Sequence, residues 1–280
     1  MAVDLHVHSN ASDGTESPSE VVRLAASAGL TAIALTDHDT LEGVDEAREE
    51  AGSRQIELIP GVELACEWDR GGLHIVVLFL EPGEGPLQDR LGELRRARHR
   101  RNRAVAQCLA GLGIEIEYAE VVEEAGEGSV GRPHFAAVMQ RKGYVPDIAT
   151  AFRSYLGAGA PAYVPRRLLP PDEAIALALQ SGAIPVLAHP HTLRLDTSAE
   201  YAATYRRLAG YGLVGVECFY GDYSPAVRLD LERSVRSFGL LPSGGSDFHG
   251  DYKPGLQVGT GRGDLVVPDR ALVDLRDARR

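Results

Sequence analysis

Histidine and carboxylate side chains occur in short clusters along this sequence, and most of these clusters follow a run of apolar residues. The first cluster is His6-Val7-His8, and Asp247-Phe248-His249 repeats its alternate spacing near the other end of the chain. Because alternate residues of a strand point to the same side, each pair could reach a single cation. Imidazole and carboxylate ligands without thiolate favour Mn²⁺, Fe²⁺ or Zn²⁺. The spacing therefore predicts a metal centre.

Other metal-capable residues lie between these two clusters. Asp37-His38-Asp39 and Glu63 each follow an apolar run, and the two oxygens of a glutamate can each bind a cation. Taken singly, each has an ordinary explanation, since an aspartate could cap the next helix and Glu63 could form an ion pair. The repetition of such residues next to predicted strand ends is what favours metal binding. The remaining metal-capable positions are Asp13, His74, His189 and His191.

A centre of this kind suits the hydrolysis of phosphate esters. Two ions about 3.5–4 Å apart could hold a hydroxide between them and polarise a phosphoryl group for in-line attack. Because the metals lower the pKa of the water, no separate general base is required. The predicted metal centre could therefore serve a metal-dependent phosphoesterase.

Short apolar runs alternate with amphipathic helical stretches over most of the chain, which is typical of parallel βα units. Strands are predicted at residues 2–7, 31–35, 56–62, 74–80, 184–188, 214–218 and 240–243. Seven strands with intervening helices predict a distorted α/β barrel of the (β/α)7 type, with an open doubly wound sheet as the alternative. In a parallel barrel the carboxyl ends of all strands open on one face, so the metal-capable residues would meet in one cavity.

The strand pattern is interrupted by a helical segment at residues 86–160. Helices are predicted there near 87–112, 117–125, 132–142 and 147–155. The sequence thus predicts a barrel made of residues 1–85 and 161–280, with residues 86–160 as an insertion that covers the active site.

The composition sets limits on partners and location. The chain has 280 residues and a formal net charge of −11, so a broad basic face for long duplex nucleic acid is not expected. A small phosphorylated substrate could still bind where metal ions and arginines reverse the charge locally. No apolar run approaches the roughly 20 residues that span a bilayer, and the N-terminus lacks a secretory layout. Together with the three widely spaced cysteines, this predicts a cytoplasmic protein with no membrane partner.

With the motifs in order, the sequence resembles the polymerase and histidinol phosphatase (PHP) superfamily. The motifs are His6-Val7-His8, Ser12-Asp13-Gly14, Thr36-Asp37-His38, Gly61-Val62-Glu63, Ala188-His189-Pro190 and Ser246-Asp247-Phe248-His249. The resemblance implies a distorted seven-stranded barrel with two or three divalent ions, Mn²⁺ being the expected metal. The implied ligands are His6, His8, Glu63 and Asp247 for one ion, Asp13, His38 and His249 for a second, and Glu63, His74 and His189 for a third.

Motifs in the insertion resemble the bacterial branch that dephosphorylates 3′,5′-nucleoside bisphosphates, some members of which trim short RNA from the 5′ end. They are Arg101-Asn102-Arg103-Ala104, Gly131-Arg132-Pro133-His134-Phe135-Ala136, and Tyr155-Leu156-Gly157 with Tyr163-Val164-Pro165. The resemblance implies release of the 3′-phosphate to leave a nucleoside 5′-monophosphate. The substrate would be a small nucleotide or a short oligoribonucleotide.

Cationic residues are the candidates for substrate contacts. Arg98 and Arg101 share a helix face, and guanidinium groups bind phosphate in a bidentate fork, although part of this basic helix could be a solvated face. Arg132 and His134 open a helix, where they could cap it, bind phosphate, or, for His134, protonate the leaving group. His191 departs from the branch, in which a small residue is expected, and could add a phosphate contact.

Alternative functions stay open. A 5′-3′ exoribonuclease acting on short 5′-phosphorylated RNA would need the same metals. A histidinol-phosphate phosphatase fits the fold, but the arginine-bearing insertion fits nucleotides better. A regulatory domain without catalysis is disfavoured by the intact set of candidate ligands.

Overall fold

The computed structural model describes residues 2–126, 129–165 and 168–279, which form eight strands. The strands are β1 (Ala2–Val7), β2 (Ala32–Leu35), β3 (Glu57–Cys66), β4 (Leu73–Leu78), β5 (Ile184–Leu187), β6 (Gly215–Tyr220), β7 (Leu241–Gly245) and β8 (Val267–Pro268). They pair in the order β7-β6-β5-β4-β3-β2-β1-β8. All seven predicted strands are present, and the short β8 was not predicted.

The sheet curves into a nearly closed barrel because the end of β7 returns to the end of β1. The amide of Asp247 donates to the carbonyl of His6 over 2.8 Å, and the amide of His8 donates to the carbonyl of Phe248 over 3.0 Å. These bonds bring the cluster His6-Val7-His8 beside the cluster Asp247-Phe248-His249, although the two lie near opposite ends of the sequence. The barrel prediction is confirmed, and the open-sheet alternative is wrong.

One strand does not have the predicted direction. β4 runs antiparallel to both β3 and β5, and β3 continues to Cys66, so Glu63 lies inside a strand and not at its end. The start of an antiparallel strand lies at the edge where its parallel neighbours end. His74, the second residue of β4, therefore lies on the same face of the barrel as the other candidate ligands. The assumption of parallel units throughout was wrong for this strand.

Helices separate most of the strands, and their ends follow ordinary capping rules. Before the first helix, the Ser17 hydroxyl accepts from the amide of Glu20 over 3.2 Å, and Pro18 occupies the first turn. The helices are α1 (Pro18–Ser27), α2 (Val44–Arg54), α3 (Pro86–Gly111), α4 (Tyr118–Ala125), α5 (Arg132–Arg141), α6 (Ile148–Ala151), α7 (Pro171–Gln180), α8 (Ser198–Tyr211), α9 (Pro225–Ser237) and α10 (Asp269–Ala278). The last of these, α10, was not predicted.

The helical segment that follows β4 has its own apolar core. Helices α3 to α6 and a π-helical turn at Phe152–Leu156 pack around a cluster that includes Leu109, Phe135 and Val138. Within the described part of the chain, no helix combines the length and the apolar character that crossing a membrane requires.

Candidate metal centre

Three candidate histidine ligands from the ends of β1, β2 and β7 meet around Asp13. One donor atom each of His8, Asp13, His38 and His249 lies within 4.8 Å of the others. Asp13 Oδ1 is 3.8 Å from His8 Nδ1 and 3.5 Å from His249 Nε2. Asp13 Oδ2 is 3.8 Å from His38 Nε2. These four side chains therefore line one space.

Glu63 stands between two sets of histidines and turns one oxygen to each. Its Oε1 is 2.7 Å from His74 Nδ1 and 2.9 Å from His189 Nε2. Its Oε2 is 3.2 Å from His8 Nε2 and 3.3 Å from His38 Nδ1. This is the arrangement expected of a carboxylate that bridges two cations.

Asp247 also divides its two oxygens between different partners. Its Oδ1 faces the histidines, at 3.6 Å from His6 Nε2 and 3.5 Å from His8 Nε2. Its Oδ2 accepts from the Tyr220 hydroxyl over 2.8 Å and contacts the Lys253 ammonium. Asp247 thus has one oxygen for the centre, while two other side chains hold the second.

The spacing of these atoms fits divalent ions. Ligand atoms about 2.1 Å from an ion lie about 3.0–3.4 Å apart at octahedral or tetrahedral angles. The separations around Glu63 and Asp247 fall close to this range, as does the 3.1 Å between His6 Nε2 and His8 Nε2. Among the described residues, the buried Nδ1 of His8 has no hydrogen-bond partner. A ring nitrogen that lines a cation site would have this property.

The charges fit divalent ions as well. Burial acts to raise the pKa of Glu63, but His38, His74 and His6 lower it well below its ordinary value. Burial also acts to raise the pKa of Asp13, which His38 and His249 bring below its ordinary value. Burial lowers the pKa of His38 to about 4, against the opposing charge of Asp13. At neutral pH the carboxylates are therefore ionised and His38 offers a lone pair, as cation ligands must.

Two candidate ligands and a neighbouring aspartate have an unusual backbone conformation. Asp39, His189 and Asp247 have φ values of 58°, 24° and 55°, in the left-handed region that non-glycine residues rarely occupy. Such conformations persist only where surrounding contacts hold them, and they cluster at functional sites.

Two of the predicted metal-capable aspartates are engaged elsewhere. Asp37 accepts from the amide and hydroxyl of Ser9, over 2.8 and 2.6 Å, and from the Ser12 hydroxyl over 2.5 Å. It thereby holds the loop that carries Asp13. Asp39 Oδ2 accepts from Arg98 Nη2 over 2.7 Å.

Arg98 and Arg101, predicted to contact substrate, lie on the buried face of α3. They are 6% and 8% exposed and continue the stripe formed by Leu91, Leu94 and Val105. Arg98 donates to Asp39 through both Nε and Nη2 and thus joins α3 to the loop after β2. In this structure the guanidinium group of Arg98 therefore binds the carboxylate of Asp39.

Arg132 and His134, at the start of α5, lie beside the centre. A Cβ atom placed on the preceding Gly131 would be 3.2 Å from Asp13 Cβ, so the helix start packs against this candidate ligand. His134 Nδ1 accepts from the amide of Gly131 over 2.9 Å, which leaves Nε2 as the protonated nitrogen. Burial lowers the pKa of His134 below 6.5, although Asp13 acts in the opposite direction. His134 is therefore a neutral hydrogen-bond donor at pH 7.

Aromatic residues hold Arg132 and His191. The Arg132 guanidinium lies 5.7 Å from the ring centres of both Phe152 and Tyr163, and Nη1 donates to the carbonyl of Leu156. His191 is exposed, and its Nδ1 is 2.8 Å from the Tyr223 hydroxyl. Its ring centre lies 6.1 Å from that of His189, so it stands at the edge of the centre.

Three residues with contacts at the centre were not predicted. Tyr220 and Lys253 both hold Asp247, and Glu217 contacts His6 and His189. Of the three, only Glu217 could have been recognised from the sequence, because it is a lone carboxylate inside the apolar run of β6. A buried glutamate is rare unless it is paired, so this position indicates a partner. Lys253 follows the D-x-H cluster but has no spacing that marks it.

Known proteins resemble this chain in both sequence and fold. Residues 4–144 match the family model described as the PHP domain. A 5′-3′ exoribonuclease from Haemophilus influenzae is 34% identical over 250 residues, which cover 88% of this chain and 89% of that protein. A 3′,5′-nucleoside bisphosphate phosphatase from Chromobacterium violaceum is 33% identical over 258 residues, covering 92% and 90%. A solved structure from Bifidobacterium adolescentis, assigned as a metal-dependent phosphoesterase, has a TM-score of 0.86 at 28% identity, covering 99% and 96%.

Proposed function

This chain belongs to the PHP domain family and is a metal-dependent phosphoester hydrolase, and from that premise we propose that it removes the 3′-phosphate of 3′,5′-nucleoside bisphosphates. The products would be a nucleoside 5′-monophosphate and phosphate. The relative from Chromobacterium violaceum, similar along almost its whole length, supports this substrate class.

The observation that carries the proposal is the position of the helix start of α5 against Asp13. A doubly phosphorylated substrate needs one place for the phosphate that reacts and a second, cationic place for the phosphate that stays. Helix N-termini and arginine forks both bind phosphate. Arg132 directly follows Gly131, which packs against Asp13, and is the proposed cationic place, in a chain whose net charge of −11 would otherwise repel the substrate.

We propose that His134 and Arg132 contact the substrate and do not bind the metal ions. The neutral His134 can donate from Nε2 to a phosphate oxygen or to the leaving oxygen, because the Gly131 amide occupies Nδ1. Arg132 would bind the second phosphate, and His191 is a proposed further phosphate contact. Arg98 and Arg101 stay proposed substrate contacts, although the present geometry favours a supporting role for Arg98.

The proposed resident ions are divalent, with Mn²⁺ favoured by the mixture of imidazole and carboxylate ligands. When bound, they would supply the Lewis acidity that activates water and neutralises phosphate charge. The proposed ligands are His6, His8, Asp13, His38, Glu63, His74, His189, Asp247 and His249.

The helical segment at residues 86–160 is proposed to cover the centre formed by the barrel, residues 1–85 and 161–280. Contacts between the two parts support this. The amide of Ser129 donates to the carbonyl of Ala11 over 3.0 Å, and Tyr252 donates to Glu124 Oε1 over 3.3 Å. Both contacts lie close to residues of the candidate centre.

A cytoplasmic location also stays a prediction, which the three free thiols support.

A second candidate is 5′-3′ exoribonuclease activity on short RNA. The relative from Haemophilus influenzae, which bears that name and is 34% identical, favours it. The same ions would serve for a phosphodiester, and the acidic charge of the chain argues only against long substrates. The two activities can coexist in one centre.

Hydrolysis of adenosine 3′,5′-bisphosphate, histidinol phosphate and a 5′-phosphorylated dinucleotide, each with Mn²⁺, tests the proposal. The product measured is inorganic phosphate for the first two substrates and nucleoside 5′-monophosphate for the dinucleotide. We expect the bisphosphate to give the highest kcat/KM and chelator treatment to abolish turnover. A preference for the dinucleotide would favour the exoribonuclease, and a preference for histidinol phosphate would contradict both nucleotide activities.

A further inference from the structure

Glu217 is a buried carboxylate that contacts two candidate ligands from different strands. It lies in the middle of β6, is 2% exposed, and is flanked by Val216 and Cys218, which point to the other side of the strand. Its Oε1 accepts from His6 Nδ1 over 3.1 Å, and its Oε2 accepts from the backbone amide of His189 over 2.6 Å. A buried glutamate requires partners of this kind, and here both partners belong to the proposed centre.

The bond to His6 determines which ring nitrogen faces the centre. A carboxylate can only accept, so the proton of the neutral ring must be on Nδ1. Nε2 then presents its lone pair, and this atom lies 3.4 Å from Glu63 Oε2 and 3.6 Å from Asp247 Oδ1. With the opposite tautomer, Nε2 would carry a proton where a cation should bind.

The bond to His189 acts on the backbone. His189 has φ 24° and ψ 68°, a conformation that is unfavourable for a residue with a side chain. Its amide donates to Glu217 Oε2, and its ring nitrogen Nε2 then lies 2.9 Å from Glu63 Oε1. Without the acceptor, the buried amide would lose its partner and the backbone could relax, which would move the ring away from Glu63.

His6, Glu63 and His189 form one of the compact groups of potential ligands in the described chain. We infer that Glu217 is the positioning residue of this group: it sets the tautomer of His6 and the backbone of His189 at the same time, and it thereby increases the affinity for the cation. Glu217 acts through the two histidines and is not itself a ligand. Its Oε1 accepts from His6 Nδ1, the ring nitrogen that faces away from the other candidate ligands. This inference rests on the metal centre proposed above.

Glu217→Gln and Glu217→Ala test the inference, with Cys218→Ala as the matched control. An amide can replace only one of the two bonds, because its NH₂ group must face one of the two donors. Cys218 is equally buried on the same strand but points away from Glu217. The measurement is calorimetric titration of the metal-stripped proteins with Mn²⁺ alone. We expect Mn²⁺ binding about tenfold weaker in Glu217→Gln, up to about a hundredfold weaker in Glu217→Ala, and unchanged in Cys218→Ala.

A second readout needs neither metal nor activity. Burial acts to lower the pKa of His6, but Glu217 and the neighbouring carboxylates raise it well above its ordinary value, so the metal-free protein is measured at alkaline pH, where the ring is neutral. With ¹⁵N-labelled histidine, His6, identified by its loss in His6→Gln, should then be protonated at Nδ1 alone in the wild type and shift toward Nε2 protonation in Glu217→Ala. A wild-type His6 protonated at Nε2, or Mn²⁺ affinity in both Glu217 variants equal to that of Cys218→Ala, would overturn the inference. A wild-type protein that binds no Mn²⁺ would instead overturn the metal centre itself.

Discussion

In the barrel, the candidate ligands come from strands that lie far apart in the sequence, and most of them are buried and contact one another. In the helical segment at residues 86–160, the cationic residues come from two helices, α3 and α5, and Arg98 and Arg132 have different partners. The barrel therefore provides a buried, negatively charged centre suited to cations. The insertion provides positive charge at its border. This contrast suggests that the chemistry depends on the barrel and the choice of substrate on the insertion.

The largest effect is expected from the removal of a barrel ligand. Asp247→Ala should lower turnover of a phosphate ester by more than about a thousandfold, because the centre loses a carboxylate and metal catalysis depends on it. His8→Ala should behave in the same way. Rates and bound metal are measured on the same purified samples.

Asp251→Ala, an exposed carboxylate in the following turn, is the control and should keep full activity. If Asp247→Ala retained activity and metal, the barrel would not be the chemical part of the molecule.

The connection between the two regions should have the next largest effect, on stability. Arg98→Ala leaves the 1% exposed side chain of Asp39 without its main cationic partner, which should cost about 3–5 kcal/mol of unfolding free energy. Arg95→Ala, on the same helix, removes an exposed ion pair with Glu42 and should cost no more than about 1 kcal/mol. Urea unfolding measures both. Equal losses would mean that the buried pair does not join the insertion to the barrel.

Loss of the proposed phosphate contact in the insertion should alter specificity more than chemistry. Arg132→Ala should raise KM for adenosine 3′,5′-bisphosphate about tenfold to a hundredfold, the value of a charged hydrogen bond. A singly phosphorylated ester should be affected much less. Arg141→Ala, at the other end of α5, serves as the control because its side chain is exposed and paired with Glu124. Equal losses on both substrates would show that Arg132 does not bind the second phosphate.

Substitution of His134 is expected to have the smallest effect on activity, because the ring acts only as a neutral hydrogen-bond donor. His134→Ala should lower kcat/KM about tenfold, whereas His134→Asn, which keeps an N–H donor, should lose less. Because burial lowers the pKa of His134 below 6.5, the ring is already deprotonated at neutral pH. Activity should therefore not fall between about pH 6.5 and 8 through loss of its proton. A fall in this interval that disappears in His134→Asn would show that a cationic His134 acts as the acid.

Much of the fold could be predicted because strand and helix patterns are local. Each of the seven predicted strands exists, and the helix starting at Pro18 follows from Ser17 and Glu20. The direction of β4 could not be predicted, because periodicity is the same in parallel and antiparallel strands. The position of Glu63 inside β3 was indicated by the apolar residues that follow it, but the strand was predicted to end too early.

The candidate site was predictable to a different degree in each region. The barrel clusters were recognisable from residue type and alternate spacing. On α3, the spacing of Leu91, Leu94, Arg98 and Arg101 already places two arginines on an apolar face, which indicates burial, but it cannot identify Asp39 as a partner. The contacts of Tyr220 and Lys253 with Asp247 depend on how β6, β7 and the following turn pack together.

The amino-acid sequence by itself determined which residues could bind cations, the order of strands and helices, and the family to which the chain belongs, because these depend on residue type and short-range spacing. Only the tertiary structure decided that β4 runs in reverse, that Glu63 turns one oxygen to each set of histidines, and that Glu217 lies behind His6 and His189. These features arise from contacts between distant segments, which the closure of the barrel brings together.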